Sequence, residues 1–287
     1  MRILFTTDIH TYSNHLYTMI DTVKKEKAEC LIIGGDIFAH DAIKRISENE
    51  LMNYGNYVTD TLIPELKSLH ESTGCRIFLD LGNDDWLACR HLLEKYDGVI
   101  FSLLHMQKHS LTDDVDIIGY MNVPPTPFTR KDREKIDTLN HPFIGGPVKL
   151  KGVVSGKGTI EPYEIIQSAT HSIEHDLSII ESMIDKPFVF VSHSPPYQTN
   201  LDVIFNGTHV GSRAIRQFIE CYAQKNVMIL SLHGHIHESP KISGSISSTI
   251  NKCLCINPGQ SLKDRKDFCY VMLELKDKLQ QVRLIQS

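Results

Sequence analysis

The chain has 287 residues, 41% of them hydrophobic and 23% charged, with 30 Lys and Arg against 35 Asp and Glu. A chain of this length buries enough surface to fold without disulfides. Its net charge of −5 argues against broad nucleic-acid binding, which needs a basic footprint, but leaves open a nuclease with a local basic channel. Apolar runs fall short of the roughly 18 residues of a membrane helix and of a signal-peptide core, so we expect a cytoplasmic protein with no membrane span.

The chain carries seven cysteines and fifteen histidines. The cysteines follow no disulfide framework, which suits reduced thiols in the cytoplasm. Histidine is the most common metal ligand and the usual general acid or base. The positions of the histidines therefore decide the functional interpretation.

Strand-like and helix-like segments alternate through the first third of the chain, which predicts an α/β layered fold. Apolar runs indicate the strands, and apolar residues at helical spacing indicate the helices. The longest helical stretch has two candidate breaks, at Gly55 and Pro64. The predicted strands are 2–7, 30–33 and 75–79, and the predicted helices are 14–27, 43–69 and 85–95.

The stretch from Asn122 to Ser168 loses this periodicity and is rich in proline and glycine. Irregular stretches longer than about 15 residues are usually functional or mobile. We therefore interpret it as an insertion, either a cover over the active site or a surface excursion. Regular structure then returns, with helices at 173–184 and 212–223 and strands at 188–192, 227–232, 253–256 and 268–274. No linker is evident, which favours a single domain over 1–287.

Five short polar clusters follow strand-like segments. Because ligands collect at the carboxyl ends of strands in open α/β sheets, residues far apart in the chain can meet at one edge. The clusters offer two carboxylates, one amide and four imidazoles, more than one ion uses but enough for two ions with a bridging carboxylate. Such nitrogen and oxygen ligands suit Mn, Fe, Zn or Ni. The clusters are Asp8/His10, Asp36, Asn83, His193 and His235/His237.

The spacing within the clusters also suits a shared site. In an extended strand, residues i and i+2 point to the same side, so Asp8 with His10, and the two histidines 235 and 237, direct both side chains into one site if the strand continues. Gly35 before Asp36 and Gly82 before Asn83 permit the tight turns that such a rim needs.

Together these motifs resemble the calcineurin-like metallophosphoesterase superfamily, whose pattern is D-x-H, G-D, G-N-H-D/E, a lone His and G-H-x-H. The match spans positions 8 to 237. Asn257-Pro-Gly259 is also typical, and the stretch 206–213 resembles a small prokaryotic branch. The resemblance implies a four-layer sandwich of two β-sheets flanked by helices.

The resemblance also implies a dinuclear metal centre at the edges of the sheets. Three residues would bind one metal, three would bind the other, and Asp36 would bridge them. Two metals about 3.5–4 Å apart hold a hydroxide for in-line attack on phosphorus. The first set is Asp8, His10 and His237, and the second is Asn83, His193 and His235.

One position departs from the family pattern: the His after G-N, usually assigned to leaving-group protonation or phosphate contact, is Asp84 here. Asp84 is a candidate proton donor, a source of charge repulsion or a helix cap. His209 is a candidate substrate contact in a loop before a probable helix start. His40 and Asp41 are candidate partners of the ligands.

These observations favour a dinuclear metal-dependent phosphoesterase that hydrolyses phosphodiester bonds of a small substrate by attack of a metal-bound hydroxide. Two divalent ions, two carboxylates and a hydroxide sum to one positive charge, which a diester monoanion balances and a monoester dianion exceeds. An ionised Asp84 strengthens that bias. The alternatives are a phosphomonoesterase or nucleotidase and, from another class, a non-catalytic binding scaffold.

Overall fold

The computed structural model describes residues 1–11, 13–38, 46–260, 268–275 and 282–285. Its strands are β1 (Arg2–Thr6), β2 (Cys30–Ile33), β3 (Arg76–Leu79), β4 (Ser102–Leu103), β5 (Lys108–Ser110), β6 (Asp116–Tyr120), β7 (Lys151–Ser155), β8 (Ile160–Glu164), β9 (Phe188–Ser192), β10 (Met228–His233), β11 (Ser247–Ile250), β12 (Cys253–Ile256), β13 (Val271–Leu275) and β14 (Val282–Ile285). Its α-helices are α1 (Ser13–Glu26), α2 (Glu48–Tyr57), α3 (Ile63–Thr73), α4 (Arg90–Glu94), α5 (Ile173–Glu181), α6 (Arg213–Gln224) and α7 (Ser239–Ser243).

Two six-stranded sheets form the centre of the molecule, in the orders β14-β13-β1-β2-β3-β4 and β11-β12-β10-β9-β6-β5. The inner strands of each sheet run parallel, β1 to β4 in the first and β6, β9, β10 and β12 in the second. Antiparallel strands lie at one edge of the first sheet, β13 and β14, and at both edges of the second, β5 and β11. The carboxyl ends of the parallel strands therefore lie along one edge of each sheet.

The alternation of side chains along the strands creates the layers. In β1, Phe5 packs between the two sheets and Leu4 packs under the helices of the first sheet. In β9, Val189 packs between the sheets and Phe188 packs under α5 and α6. Since both faces of each sheet are buried, the strands are continuous apolar runs. The predicted α/β class and four-layer sandwich are confirmed.

Two helix predictions differ from the structure in detail. The stretch predicted as 43–69 is two helices, α2 and α3, joined by one π-helical turn at Val58–Leu62, and Pro64 lies in the first turn of α3, where its missing N–H costs nothing. Residues 43–45 lie outside the described ranges. The helix predicted at 85–95 begins only after Trp86, with a 3₁₀ turn before α4, because the Asp85 carboxylate is held in the preceding loop by three backbone N–H groups.

The stretch 122–168 contains the hairpin of β7 and β8, and buried charges attach it to the body of the protein. Arg133 Nη2 lies 3.1 Å from Asp80 Oδ1. Asp137 accepts hydrogen bonds from the Ser212 hydroxyl and the Arg213 N–H, which ties the stretch to the start of α6. Within the described ranges, no helix has the length and apolar character needed to cross a membrane.

Removal of one partner of a fully buried ion pair inside this stretch should destabilise the protein strongly. Lys131 Nζ lies 2.7 Å from Glu134 Oε2, and both side chains are 0% exposed. Lys131→Met should lower the free energy of unfolding by about 3–5 kcal/mol, because it leaves the Glu134 carboxylate buried without its cation. Urea unfolding measures the change.

Two further variants complete this test. Lys131→Met combined with Glu134→Gln should recover much of the loss, because no unpaired charge remains. Lys151→Met, which removes an exposed pair with Glu164 on the same hairpin, should change stability by less than about 0.5 kcal/mol. A single Lys131→Met variant as stable as the wild type would show that the pair does not hold the stretch.

Candidate metal centre

All seven predicted metal ligands lie in loops that directly follow parallel strands. Asp8 and His10 follow β1, and Asp36 and Asn83 follow β2 and β3 in the same sheet. The remaining three residues belong to the second sheet: His193 follows β9, and His235 and His237 follow β10. The two sheet edges adjoin, since His193 Nδ1 lies 2.8 Å from the Gly34 carbonyl oxygen at the end of β2.

One group of donors surrounds a point beside β1. One donor atom from each of Asp8, His10, Asp36 and His237 lies within 4.8 Å of the others. His237 Nε2 is 3.0 Å from Asp8 Oδ1 and 3.3 Å from His10 Nε2. The structure thus brings together the three residues predicted for one metal with the predicted bridge.

The remaining predicted ligands form a second group on the other side of Asp36. His193 Nε2 lies 3.0 Å from Asn83 Oδ1 and 3.3 Å from Asp36 Oδ2. The His235 ring lies 5.3 Å from the His193 ring, between centroids. Asp36 therefore contacts both groups.

The strands end before the predicted ligands begin, so the ligand side chains do not point to one side of an extended strand as the spacing predicted. The strands end at Thr6 and His233, and Asp8, Asp36 and His235 have φ of 56°, 53° and 67°. Non-glycine residues in this left-handed region are strained and cluster at functional sites. The paired side chains thus converge through tight turns and not through an extended strand.

Glycine makes the close approach of these loops possible. A Cβ on Gly82 would lie 2.2 Å from Asp36 Oδ1, and a Cβ on Gly234 would lie 2.0 Å from Thr7 Oγ1 and 2.5 Å from Asp8 Oδ2. Any side chain at either position would push a carboxylate out of the centre.

Buried charges dominate the electrostatics of the site. Burial would raise the pKa of Asp36, but the neighbouring imidazoles, above all His193, hold it well below its usual range. Burial would lower the pKa of His193, but the Asp36 carboxylate raises it to about 9. Burial, reinforced by the charge of His193, lowers the pKa of His235 to about 3. Two carboxylates at a nearly dry position require cations nearby.

The donor set fits divalent transition metals. It mixes imidazole nitrogens with carboxylate and amide oxygens and contains no thiolate. His193 donates its Nδ1 proton to the Gly34 carbonyl, so in its neutral form Nε2 carries the lone pair towards Asp36 and Asn83. The Nε2 atoms of His10 and His237 face each other at 3.3 Å, the arrangement of two ligands of one ion.

Two supporting residues were not found from the sequence. The Asp85 carboxylate accepts hydrogen bonds from the N–H groups of Ile37, Phe38 and Gly82, and so joins the loop of Asp36 to the loop of Asn83. The Asn257 amide donates to the carbonyls of Leu201, Gly234 and Ile236, which fixes the loop that carries the last two histidines. The Asn-Pro-Gly motif was the available signal for Asn257.

The other two predicted site residues both contact a charged partner. Asp84 lies at the rim, with Oδ2 3.2 Å from His10 Nδ1 and Oδ1 3.1 Å from Arg130 Nη1. His209 lies on the loop before α6, where its Nδ1 is 2.8 Å from Asp202 Oδ1. His40 and Asp41 lie outside the described residues.

A family model described as calcineurin-like phosphoesterase matches residues 1–239. The chain belongs to the calcineurin-like phosphoesterase family. The predicted relationship is confirmed, and members of this family typically bind divalent metals. The motifs from Asp8 to His237 fall inside the matched residues, and Asn257-Pro-Gly259 lies outside them.

One protein sequence and two solved structures are also similar to this chain. An uncharacterized protein of Methanocaldococcus jannaschii, MJ1162, is 28% identical over 153 residues, and the match covers 50% of this chain and 66% of the relative, less than two thirds of its length. Two crystal structures share the fold. TT1561 of Thermus thermophilus has a TM-score of 0.57 and 14% sequence identity, and the match covers 99% of this chain and 97% of that chain. A dimetal phosphatase from Danio rerio has a TM-score of 0.53 and 10% sequence identity, and the match covers 96% of this chain and 93% of that chain.

Loss of the Asp85 carboxylate should disturb metal binding from a distance. Asp85→Ala leaves three buried N–H groups without their acceptor and should lower the free energy of unfolding by about 2–4 kcal/mol. Because the loops of Asp36 and Asn83 are then no longer joined, Mn²⁺ binding should weaken as well. Urea unfolding and Mn²⁺ titration measure the two effects.

Asp97→Ala is a control away from the centre, because it removes a bond from an exposed carboxylate to the Leu103 N–H. It should lower stability without changing Mn²⁺ affinity. Wild-type Mn²⁺ affinity in a folded Asp85→Ala variant would contradict the proposed link between the loops.

Proposed function

We propose that this protein is a dinuclear metal-dependent phosphoesterase acting on small phosphodiesters. The observation that carries the proposal is the position of Asp36. Its carboxylate lies within 4.8 Å of the donors of Asp8, His10 and His237, and 3.3 Å from His193 of the second group. A carboxylate shared by two sets of nitrogen and oxygen donors suits two adjacent divalent ions, of Mn, Fe, Zn or Ni.

When bound, such a pair of ions activates water for attack on phosphorus and stabilises the charge of the phosphate oxygens. The residues of the chain position that chemistry. The first group consists of Asp8, His10 and His237, and the second of Asn83, His193 and His235. Asp36 belongs to both groups. The loops that carry these residues are held by Asp85 and Asn257, so the donors are fixed before substrate binds.

His209 is our candidate for the residue that contacts substrate and protonates the leaving group. Asp202 is fully buried and accepts the Nδ1 proton of His209, which fixes the ring and directs Nε2 away from Asp202. The segment that carries Asp202 and His209 also contacts the segment that follows His237, since the Val203 N–H donates to Ser239 Oγ. The His209 side chain is 36% exposed, so a substrate group can reach it.

The preference for diesters follows from the charges at the rim. Arg130 pairs with both Asp84 and Glu50, at 3.1 and 3.3 Å. Among these three groups the two carboxylates outnumber the guanidinium. A phosphomonoester dianion is repelled about twice as strongly by such an excess of negative charge as a diester monoanion.

The two metal sites should respond differently to loss of their ligands. Asp36→Asn should lose both equivalents of bound Mn²⁺ and nearly all hydrolysis, because Asp36 serves both sites. His193→Ala should empty mainly one site, and His237→Ala mainly the other. Metal content after dialysis, together with hydrolysis of a diester, measures the effects.

Two outcomes would contradict the dinuclear assignment. One is full activity and unchanged metal content in Asp36→Asn. The other is equal loss of both metals in His193→Ala. His209→Gln is the control, because it alters a residue outside the metal groups: it should keep two equivalents of Mn²⁺ and slow hydrolysis most for substrates with poor leaving groups.

The diester preference should shift when the rim charge is removed. Glu50→Gln removes one carboxylate charge from the rim without altering any proposed metal ligand, and should raise kcat/KM for a phosphomonoester relative to a diester by roughly 3- to 30-fold, the equivalent of one partly screened charge. Lys67→Gln, which alters an exposed pair on α3, is the control. A ratio that is the same in Glu50→Gln and wild type would mean that the rim does not set the preference.

A further inference from the structure

Asp84 occupies the position where the family pattern has histidine, and it contacts a metal-centre residue. Its Oδ2 lies 3.2 Å from Nδ1 of His10, whose other nitrogen, Nε2, faces His237 Nε2 at 3.3 Å. A carboxylate at Nδ1 makes that nitrogen the donor, so in the neutral imidazole the lone pair is on Nε2. This is the tautomer that binds a metal beside His237.

The orientation of Asp84 is itself fixed from two sides. Its backbone N–H donates to Asp36 Oδ1 at 2.8 Å, and its Oδ1 receives a charge-assisted bond from Arg130 Nη1. Arg130 is 6% exposed, and its guanidinium carbon lies 3.9 Å above the buried Trp86 ring. Asp84 therefore sits between a rigid cation and an imidazole.

These contacts suit an ionised carboxylate and not a proton donor. Oδ1 of Asp84 accepts a hydrogen bond from the Arg130 guanidinium, and Oδ2 lies at ion-pair distance, 3.2 Å, from His10 Nδ1. A protonated carboxyl would point its own hydrogen at one of them. An acid that serves the leaving group also has to face the substrate, whereas Asp84 Oδ2 faces His10.

The second metal group shows the same principle with a different acceptor. The Nδ1 of His193 is held by the Gly34 carbonyl, and its Nε2 faces Asn83 and Asp36. At His10 the corresponding partner of Nδ1 is the side chain of Asp84, which lies 74 positions further along the chain. Carboxylate partners of metal-bound histidines fix the ring and raise its basicity, and their loss weakens metal binding about 10–100-fold.

We propose that Asp84 is a positioning residue: with Arg130 as its counter-ion, it fixes the orientation and tautomer of His10 for metal binding. The proposal rests on the proposed function and deepens it. It also gives the stretch 122–168 a role, because Arg130 belongs to that stretch and reaches the metal centre through Asp84.

Mn²⁺ affinity tests this proposal directly. In titrations that resolve two sites, Asp84→Ala should weaken one site about 10–100-fold and leave the other unchanged. Asp84→Asn, which keeps the shape and a weaker acceptor, should fall between Asp84→Ala and the wild type. Arg130→Met should weaken the same site. Glu50→Gln, which alters a partner of Arg130 that is outside the His10 contact, should bind Mn²⁺ as the wild type does.

The tautomer gives a second measurement that is independent of activity. In the Zn²⁺-loaded wild type, ¹⁵N NMR of the histidine side chains should show a protonated Nδ1 for His10, assigned by its loss in His10→Gln. In Asp84→Asn this proton should exchange faster with water, because its acceptor is weaker. If Asp84→Ala fails to fold, Asp84→Asn is the variant used for both the Mn²⁺ titration and the NMR measurement.

Unchanged Mn²⁺ affinity at both sites in Asp84→Asn and Asp84→Ala would overturn the proposal, as would an unchanged His10 Nδ1 signal. If the Asp84 variants instead bind metal normally but hydrolyse substrates more slowly, with the largest loss for substrates that have poor leaving groups, Asp84 would be assigned as the proton donor. Failure of the dinuclear function is distinguishable, because the wild type itself would then bind fewer than two equivalents of Mn²⁺.

Discussion

The contact between the Asp36 carboxylate and the His193 imidazole joins the two β-sheets at the edge where the candidate site lies. Asp36 follows β2 of one sheet and His193 follows β9 of the other, so the positions of the ligands depend on how the sheets pack. The bond from His193 Nδ1 to the Gly34 carbonyl fixes the same junction a second time. The apolar layer between the sheets, with Phe5 and Val191, thus serves the site by holding the sheets in register.

The site also depends on the charge balance of its carboxylates, which need cations or hydrogen-bond donors around them when they are removed from water. Asp80, at the end of β3, is paired with Arg90 and Arg133, and Asp84 with Arg130. Two of these three arginines come from the stretch 122–168. Since an unpaired buried charge costs several kcal/mol, this stretch is part of the electrostatic balance of the domain.

The sequence predicted those features that depend on neighbouring residues. Buried strands and the polar clusters at their ends are local patterns of this kind. The left-handed turns at Asp8 and His235 were not predicted, because a positive φ is uncommon even for Asp and His, although both residue types are enriched there. The pair of Asp84 and Arg130 joins positions 46 apart, one of them in a stretch without periodicity, so no sequence pattern signals it.

Two of the carboxylate–imidazole pairs among the described residues, Asp84 with His10 and Asp202 with His209, have surroundings that suit different tasks. In the pair of Asp84 and His10, the imidazole is 4% exposed and its Nε2 faces another histidine, which suits a fixed ligand. In the pair of Asp202 and His209, the imidazole is 36% exposed, so its Nε2 can exchange a proton with substrate or water. A carboxylate at Nδ1 fixes the ring in both cases, and burial decides whether Nε2 serves metal binding or proton transfer. On the proposed function, aspartate in place of the family's histidine at position 84 would leave leaving-group protonation to His209, on a different loop.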